Sequence, residues 1–373
     1  MVINLYTPGH GDPLDTLIVN GIVLSLMEEY PDIKIEVLKQ ASRFIVKILN
    51  KDDINERNVI DNAIMSIIED CELETEGKIG LSFSSQPAVR PENIVKAING
   101  ALSHINSSKS SFIEDFSDEL HAMKKQEGRG KEKRNLFKVH VQIAPFTGSY
   151  LRLPYMTVGN TGTASKAGFK AEEADYIVCP FCFIFSWAGL IKSTSIIVFS
   201  TKNKKSTLFI LPSPVKATQD DVALLSLIFG EKVEVVRAGD REIPALGGVL
   251  YSMASGETIG ALSAQSLLDA IYWVSAKEGN FISVRSFGSM PLLNVYKFVA
   301  EAKRKSPFLV RLIDTIADRE PELLTLLTES LVIPGYNIYD IVRSLWAFLE
   351  RIEKTDKVPL DIGIVDTLIK LIK

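Results

Sequence analysis

The longest apolar run, Tyr176 to Ile191, constrains this chain more than any other feature. It is 16 residues long, contains Pro180 and stops at Lys192. A membrane span needs about 20 apolar residues. The run is therefore expected to be a buried core helix, part of a helical stretch from Ala171 to Leu190 interrupted at Pro180. A chain of 373 residues, 46% of them hydrophobic, is long enough to bury a sizeable core and to form two or three domains. With 24% charged residues, wholesale disorder is excluded.

Around this run the pattern predicts an α+β fold. Val2–Tyr6 alternates like a strand. The turn Thr7-Pro8-Gly9-His10-Gly11 follows, and then a helix with Leu14, Leu17, Ile18, Ile22 and Leu26 on one stripe. Asp12 is expected to cap that helix, with Pro13 at its first position and Asp15 near its positive end. Lys34–Leu38 and Phe44–Leu49 form a predicted hairpin, and Asn58–Ile68 a second amphipathic helix. The order β-α-β-β-α resembles half of a ferredoxin-like or RNA-recognition fold.

Helices are predicted from Arg90-Pro91-Glu92 to His104 and over Phe112–Lys125. Lys138–Ile143 alternates like a strand, and Ala144–Lys170 is long and irregular. Strands are expected at Ser195–Ser200, Leu208–Leu211, Val233–Arg237 and Phe281–Ser286, and helices at Asp220–Phe229 and Ser263–Ala276. From Pro291 the pattern is helical, punctuated by Pro307, Pro321, Pro334 and Pro359. The expected domains are an N-terminal α+β region (1–120), a central α+β region with basic loops (121–289) and a C-terminal helical bundle (290–373).

The net charge of −4 suggests indifference to polyanions, but the sum hides a segregation. Residues 1–120 hold 10 basic and 20 acidic residues, a net of −10. Residues 121–170 hold 10 basic and 2 acidic, a net of +8. The remainder holds 22 basic and 24 acidic, a net of −2. The middle block has the electrostatic footprint of a polyanion-binding strip, although a solvated loop has the same composition. Its densest part is Lys124, Lys125, Arg129, Lys131, Lys133 and Arg134. These cations repel one another, and a polyanion would relieve that repulsion. Further along, Gly159-Asn160-Thr161-Gly162-Thr163-Ala164-Ser165-Lys166 superficially suggests a phosphate loop. It lacks the Gly-Lys pair that a nucleotide hydrolase needs. Asn160, Lys166 and Lys170 remain candidates for contact with a sugar-phosphate backbone.

Catalytic signals are weak. Cys179-Pro180-Phe181-Cys182 has no second pair to complete a zinc site, and its apolar setting favours buried, inert thiols. Cys71 is the third cysteine, so no even disulfide framework exists, which fits a reducing compartment. His10 with Asp12 and Asp15 has a structural explanation in the helix start. The histidines lie in no metal or acid–base spacing. No catalytic residue, metal site or cofactor is expected. The N-terminus carries no signal-peptide pattern, so a cytoplasmic location is expected, and no membrane partner. Abundant Ile, Lys and Glu is the composition of heat-adapted proteins.

The string Leu5-Tyr6-Thr7-Pro8-Gly9, with Asp12-Pro13-Leu14-Asp15-Thr16-Leu17-Ile18 and Gly21, resembles the start of the large subunit of archaeal subtype I-A CRISPR surveillance (Cascade) complexes. Ala144-Pro145-Phe146-Thr147-Gly148-Ser149-Tyr150, and Cys179 to Cys182 followed by Ala188-Gly189-Leu190, add to the resemblance. It implies a non-catalytic subunit of an antiviral defence complex. Its partners would be other complex subunits, a guide RNA and target double-stranded DNA. The guide reads sequence by base pairing, while this subunit engages target DNA, reads the flanking motif and supports the opened strands. Two other readings stay open: a metal-dependent nuclease or other nucleic-acid enzyme, and a purely structural scaffold.

Overall fold

The computed structural model describes residues 2–9, 11–41, 43–74, 76–83, 91–117, 179–201, 204–230, 233–236, 242–256, 262–263, 265–278, 281–356 and 362–372. The chain opens with β1 (Ile3–Tyr6), α1 (Leu14–Glu29), β2 (Ile35–Gln40), β3 (Arg43–Ile48) and α2 (Glu56–Glu72), the expected β-α-β-β-α order. The predicted hairpin forms, with Gln40 opposite Arg43. β3 lies between β1 and β2 and is antiparallel to both. This is the arrangement of half a ferredoxin-like unit, as expected. Short α3 (Lys78–Phe83), then α4 (Pro91–Ser108) and α5 (Phe112–Ser117) complete the N-terminal part.

The apolar run becomes α6 (Pro180–Ser193). Pro180 opens this helix at a position that needs no N–H, and residues 171–178 of the expected helical stretch lie outside the described residues. Almost every residue from Pro180 to Leu190 is buried, because α1, α2, α4 and the later α7 (Gln219–Phe229) pack around α6. The crossing with α1 is the closest. A Cβ on Gly21 would overlap the carbonyl of Phe185, and one on Gly189 would overlap the carbonyl of Leu17. The two glycines let the backbones touch.

β4 (Ser195–Thr201) and β5 (Lys204–Thr218) follow. β5 is the spine of an eight-stranded mixed sheet. One edge pairs with β7 (Leu267–Glu278) along most of its length. The other edge is shared: β4 pairs with it up to Ile210 and β2 pairs from Lys216. Pro212 and Pro214 fall in the interval between these partners, where a missing N–H breaks no ladder. There Asn20 of α1 donates Nδ2 to the Pro212 carbonyl at 2.9 Å and to Ser193 Oγ at 3.0 Å. β6 (Val233–Val236) adds to β4 in parallel, and β8 (Phe281–Pro291) pairs antiparallel with β7.

Two elements depart from the sequence pattern. The predicted helix Ser263–Ala276 is instead the extended strand β7. Asp221, in the capping box of α7, accepts from Ser266 Oγ at 2.5 Å and from Ser263 N at 2.8 Å, which draws the approach to β7 onto α7. Ile271 and Trp273 are buried on one face and Tyr272 and Val274 partly buried on the other, so apolar residues stand on both faces and the apolar–polar alternation of a half-buried strand is missing from the sequence. A helix without a sequence signal, α8 (Ala245–Ser255), contains Gly247-Gly248. A Cβ on Gly248 would press on the Leu208 side chain of β5, so glycine lets α8 lie close on the sheet with that side chain in place.

Helices α9 (Leu293–Lys305), α10 (Leu309–Arg319), α11 (Pro321–Val332), α12 (Ile338–Asp356) and α13 (Ile362–Ile372) form the C-terminal part. The prolines punctuate them as expected: α9 ends before Pro307, α11 starts on Pro321 and stops before Pro334. α8 packs on α9, α10 and α11, joining these helices to the sheet.

Candidate nucleic-acid interface

Lys124, Lys125, Arg129, Lys131, Lys133, Arg134, Asn160, Lys166 and Lys170 all lie outside the described residues. The structure describes the frame from which this block departs and to which it returns. α5 ends at Ser117 and α6 starts at Pro180. Phe112 and Phe116 of α5 pack edge-on against α6: Phe112 against Phe181 at 6.2 Å and Phe185 at 5.3 Å, and Phe116 against Phe185 at 6.3 Å. All four rings are buried. Such contacts add about 1 kcal/mol each to the burial of the rings. The segment carrying the basic block thus starts and finishes at one aromatic cluster.

Cys179 caps α6 at the return point. Its Sγ accepts from the Cys182 N–H at 3.3 Å, and the two sulfurs are 3.3 Å apart. Both thiols are buried, as the apolar setting predicted. Cys71 is also buried, and burial pushes its thiol up to about 12. Among the described residues no three His, Cys, Asp or Glu side chains converge as metal ligands.

The start of α1 differs from the expected cap. Pro13 occupies the cap position and supplies no side-chain bond. The Asp12 carboxylate turns elsewhere, to Thr16 Oγ1 at 2.7 Å and Lys39 Nζ at 2.5 Å. Asp15 is fully buried and holds the preceding turn, accepting from Gly9 N at 3.0 Å and Gly11 N at 2.5 Å. Both glycines have φ near +85°, at 86° and 84°. Burial pushes the Asp15 carboxyl up to about 6, against the pull of hydrogen bonds from Thr7, Gly9 and Gly11. Asp269 is raised too, first by burial and then by the Asp12 charge, while Lys39 opposes the shift. His10 lies outside the described residues.

Lys78 is the residue that sequence reasoning missed. It is buried, and its ammonium donates to the carbonyls of Ile191, Thr194 and Gly230, the Thr194 bond measuring 2.8 Å. It therefore ties together the C-terminal ends of α6 and α7. Asp70 fixes its backbone by accepting from Lys78 N at 2.8 Å and Ile79 N at 2.9 Å. The one available signal was a lone cation directly after the acidic stretch Glu69–Glu76.

The fold is that of an α+β protein with a buried central helix, and its sequence carries a cationic block between α5 and α6. It belongs to the Cas_Csa4 family of CRISPR-associated proteins, whose family model matches residues 3–373. A comparison with curated proteins found no match. Among the described residues no helix is long and apolar enough to cross a membrane.

Proposed function

We propose that this protein is the large subunit of a subtype I-A, RNA-guided CRISPR surveillance complex. In this reading it is a non-catalytic, cytoplasmic subunit that touches target DNA and guide RNA through the 121–170 block and protein neighbours through its acidic N-terminal region and C-terminal helices. The supporting observation is the pairing of family membership with a net charge of +8 confined to one block, inside a chain of net −4. The packing of α5, which precedes that block in the chain, on α6, which follows it, adds to it, because closing the intervening chain is then part of folding and not a cost of binding.

Phosphate neutralisation releases counterions, so affinity must fall steeply with salt. Lys124→Ala, Lys131→Ala and Arg134→Ala together are expected to weaken DNA binding across all sequences and to flatten the salt slope by about 3. Unchanged affinity at several salt concentrations would remove the block from the mechanism. Metal-dependent turnover by the assembled complex, abolished by a single Asp→Asn change in this chain, would instead favour the nuclease reading.

A further inference from the structure

A second cluster of cations lies among the C-terminal helices, on residues outside the 121–170 block. The facing sides of α9 and α13 leave a groove of about 580 Å³, lined by Tyr296, Lys297, Arg304, Lys305, Thr367 and Lys370, with Glu301 on its wall. Lys297, Glu301 and Arg304 share one face of α9, at helical spacings of four and three residues. Lys370 arrives from α13, more than sixty residues away in sequence.

The charges are arranged rather than merely crowded. Glu301 accepts from Arg304 at 2.7 Å and from Lys305 at 3.0 Å. Asp366 accepts from Lys370 at 2.8 Å and lies 3.7 Å from Lys305. Lys305 also donates to Thr367 Oγ1 at 3.3 Å. The two carboxylates thus hold three cations in place without neutralising the groove. Lys297, Arg304, Lys305 and Lys370 against Glu301 and Asp366 leave a net of +2. Lys297 is exposed and has no hydrogen bond or ion pair among the described residues. Arg304 reaches Glu301 through Nη2, its side chain is largely exposed, and a guanidinium carries further N–H donors.

We propose that this groove binds phosphate groups of a nucleic-acid strand. Lys297 supplies an uncommitted point charge, and Arg304 a planar fork suited to a tetrahedral oxyanion. A net of +2 matches one or two phosphodiesters. The inference rests on the nucleic-acid reading above, but on different residues. In a surveillance complex the groove would be a second hold on an opened strand.

The test uses the full chain and a fluorescein-labelled single-stranded oligonucleotide, titrated at several salt concentrations. Lys297→Ala, Arg304→Ala and Lys370→Ala are combined, and unchanged circular dichroism and melting temperature verify the fold. The expected result is affinity about tenfold lower at low salt and a salt slope flatter by about 1 to 2. Lys297→Arg should retain wild-type binding. Inorganic phosphate competing as well as the oligonucleotide, per phosphate, would overturn the strand in favour of a free anion. A polyglutamate peptide displaced by the same triple variant, with oligonucleotide binding intact, would overturn the phosphate assignment in favour of an acidic protein. If the groove variant binds normally while the 121–170 variant does not, the groove proposal fails and the function proposed above stands. If neither variant changes binding, both fall.

Discussion

Asp15 sits fully buried at the first turn of α1 and keeps the Gly9 and Gly11 amides satisfied. Its carboxyl is raised by burial from 3.8 to about 6. Folding therefore takes up a proton at this position. Its stabilising contribution is complete below about pH 4 and is lost as pH rises through about 6, a swing of about 3 kcal/mol. Asp15→Asn is expected to remove that slope from urea-unfolding free energies measured across this window. A variant with the wild-type pH profile would show that Asp15 is not the titrating group. At Gly21 and Gly189 the constraint is steric. Gly189→Ala places a methyl group inside the Leu17 carbonyl, a backbone contact that only a shift of the helices relieves. Overpacking of this kind should cost about 3 kcal/mol, read as a lower denaturation midpoint, whereas a shift below about 0.5 kcal/mol would mean that the helices slide apart freely. Gly21 and Gly189 both belong to the strings that carry the family resemblance, and their close crossing is a physical reason for those residue types.

At the scale of elements, Lys78 decides how α6 and α7 end. Helices leave their last carbonyls unsatisfied, and here one ammonium gathers the carbonyls of Ile191, Thr194 and Gly230 from two neighbouring ends. Lys78→Met keeps the apolar stem and removes the donor. The buried Thr194 carbonyl and the partly buried carbonyls of Ile191 and Gly230 would lose a partner, for an expected loss of about 2 to 3 kcal/mol in chemical denaturation. Amide exchange should rise at Thr194 and Gly230 before it rises in the sheet, and uniform exchange across both would argue against a local clamp. Elements with one buried face were legible beforehand. The β2–β3 hairpin alternates, with Val37, Phe44, Val46 and Ile48 inward. Elements covered on both sides were not. β7 has no apolar–polar period because Ile271 and Trp273 are buried on one face while apolar Tyr272 and Val274 are partly buried on the other, and Trp273 stacks on Phe209 of β5 at 4.9 Å. α8 was hidden by Gly247-Gly248, residues with poor intrinsic helix propensity that this packing nevertheless requires.

Over the whole molecule, charge is distributed by region, and the structure adds a location that regional sums conceal. The C-terminal stretch belongs to a region of net −2, yet it contains the cationic groove between α9 and α13. A nucleic-acid strand held at both the 121–170 block and this groove would be bound by two modest sites in one chain. Their effects on affinity should then multiply. Combining the two triple variants is expected to reduce oligonucleotide affinity by about the product of the separate reductions, since independent sites contribute additively to free energy. A combined loss no greater than the larger single one would point to one shared site. The sequence by itself determined the α+β class, the opening β-α-β-β-α order, the buried apolar helix, the proline-punctuated C-terminal helices and the cationic block. Those features are written in local periodicity and composition, which need no partner to be read. Only the tertiary structure decided that β7 is a strand, that Asp12 pairs with Lys39, that Lys78 clamps two helix ends and that Lys370 joins Lys297 and Arg304. Each of these depends on which distant residue comes within a few ångströms, and that distance is set by packing rather than by neighbours along the chain.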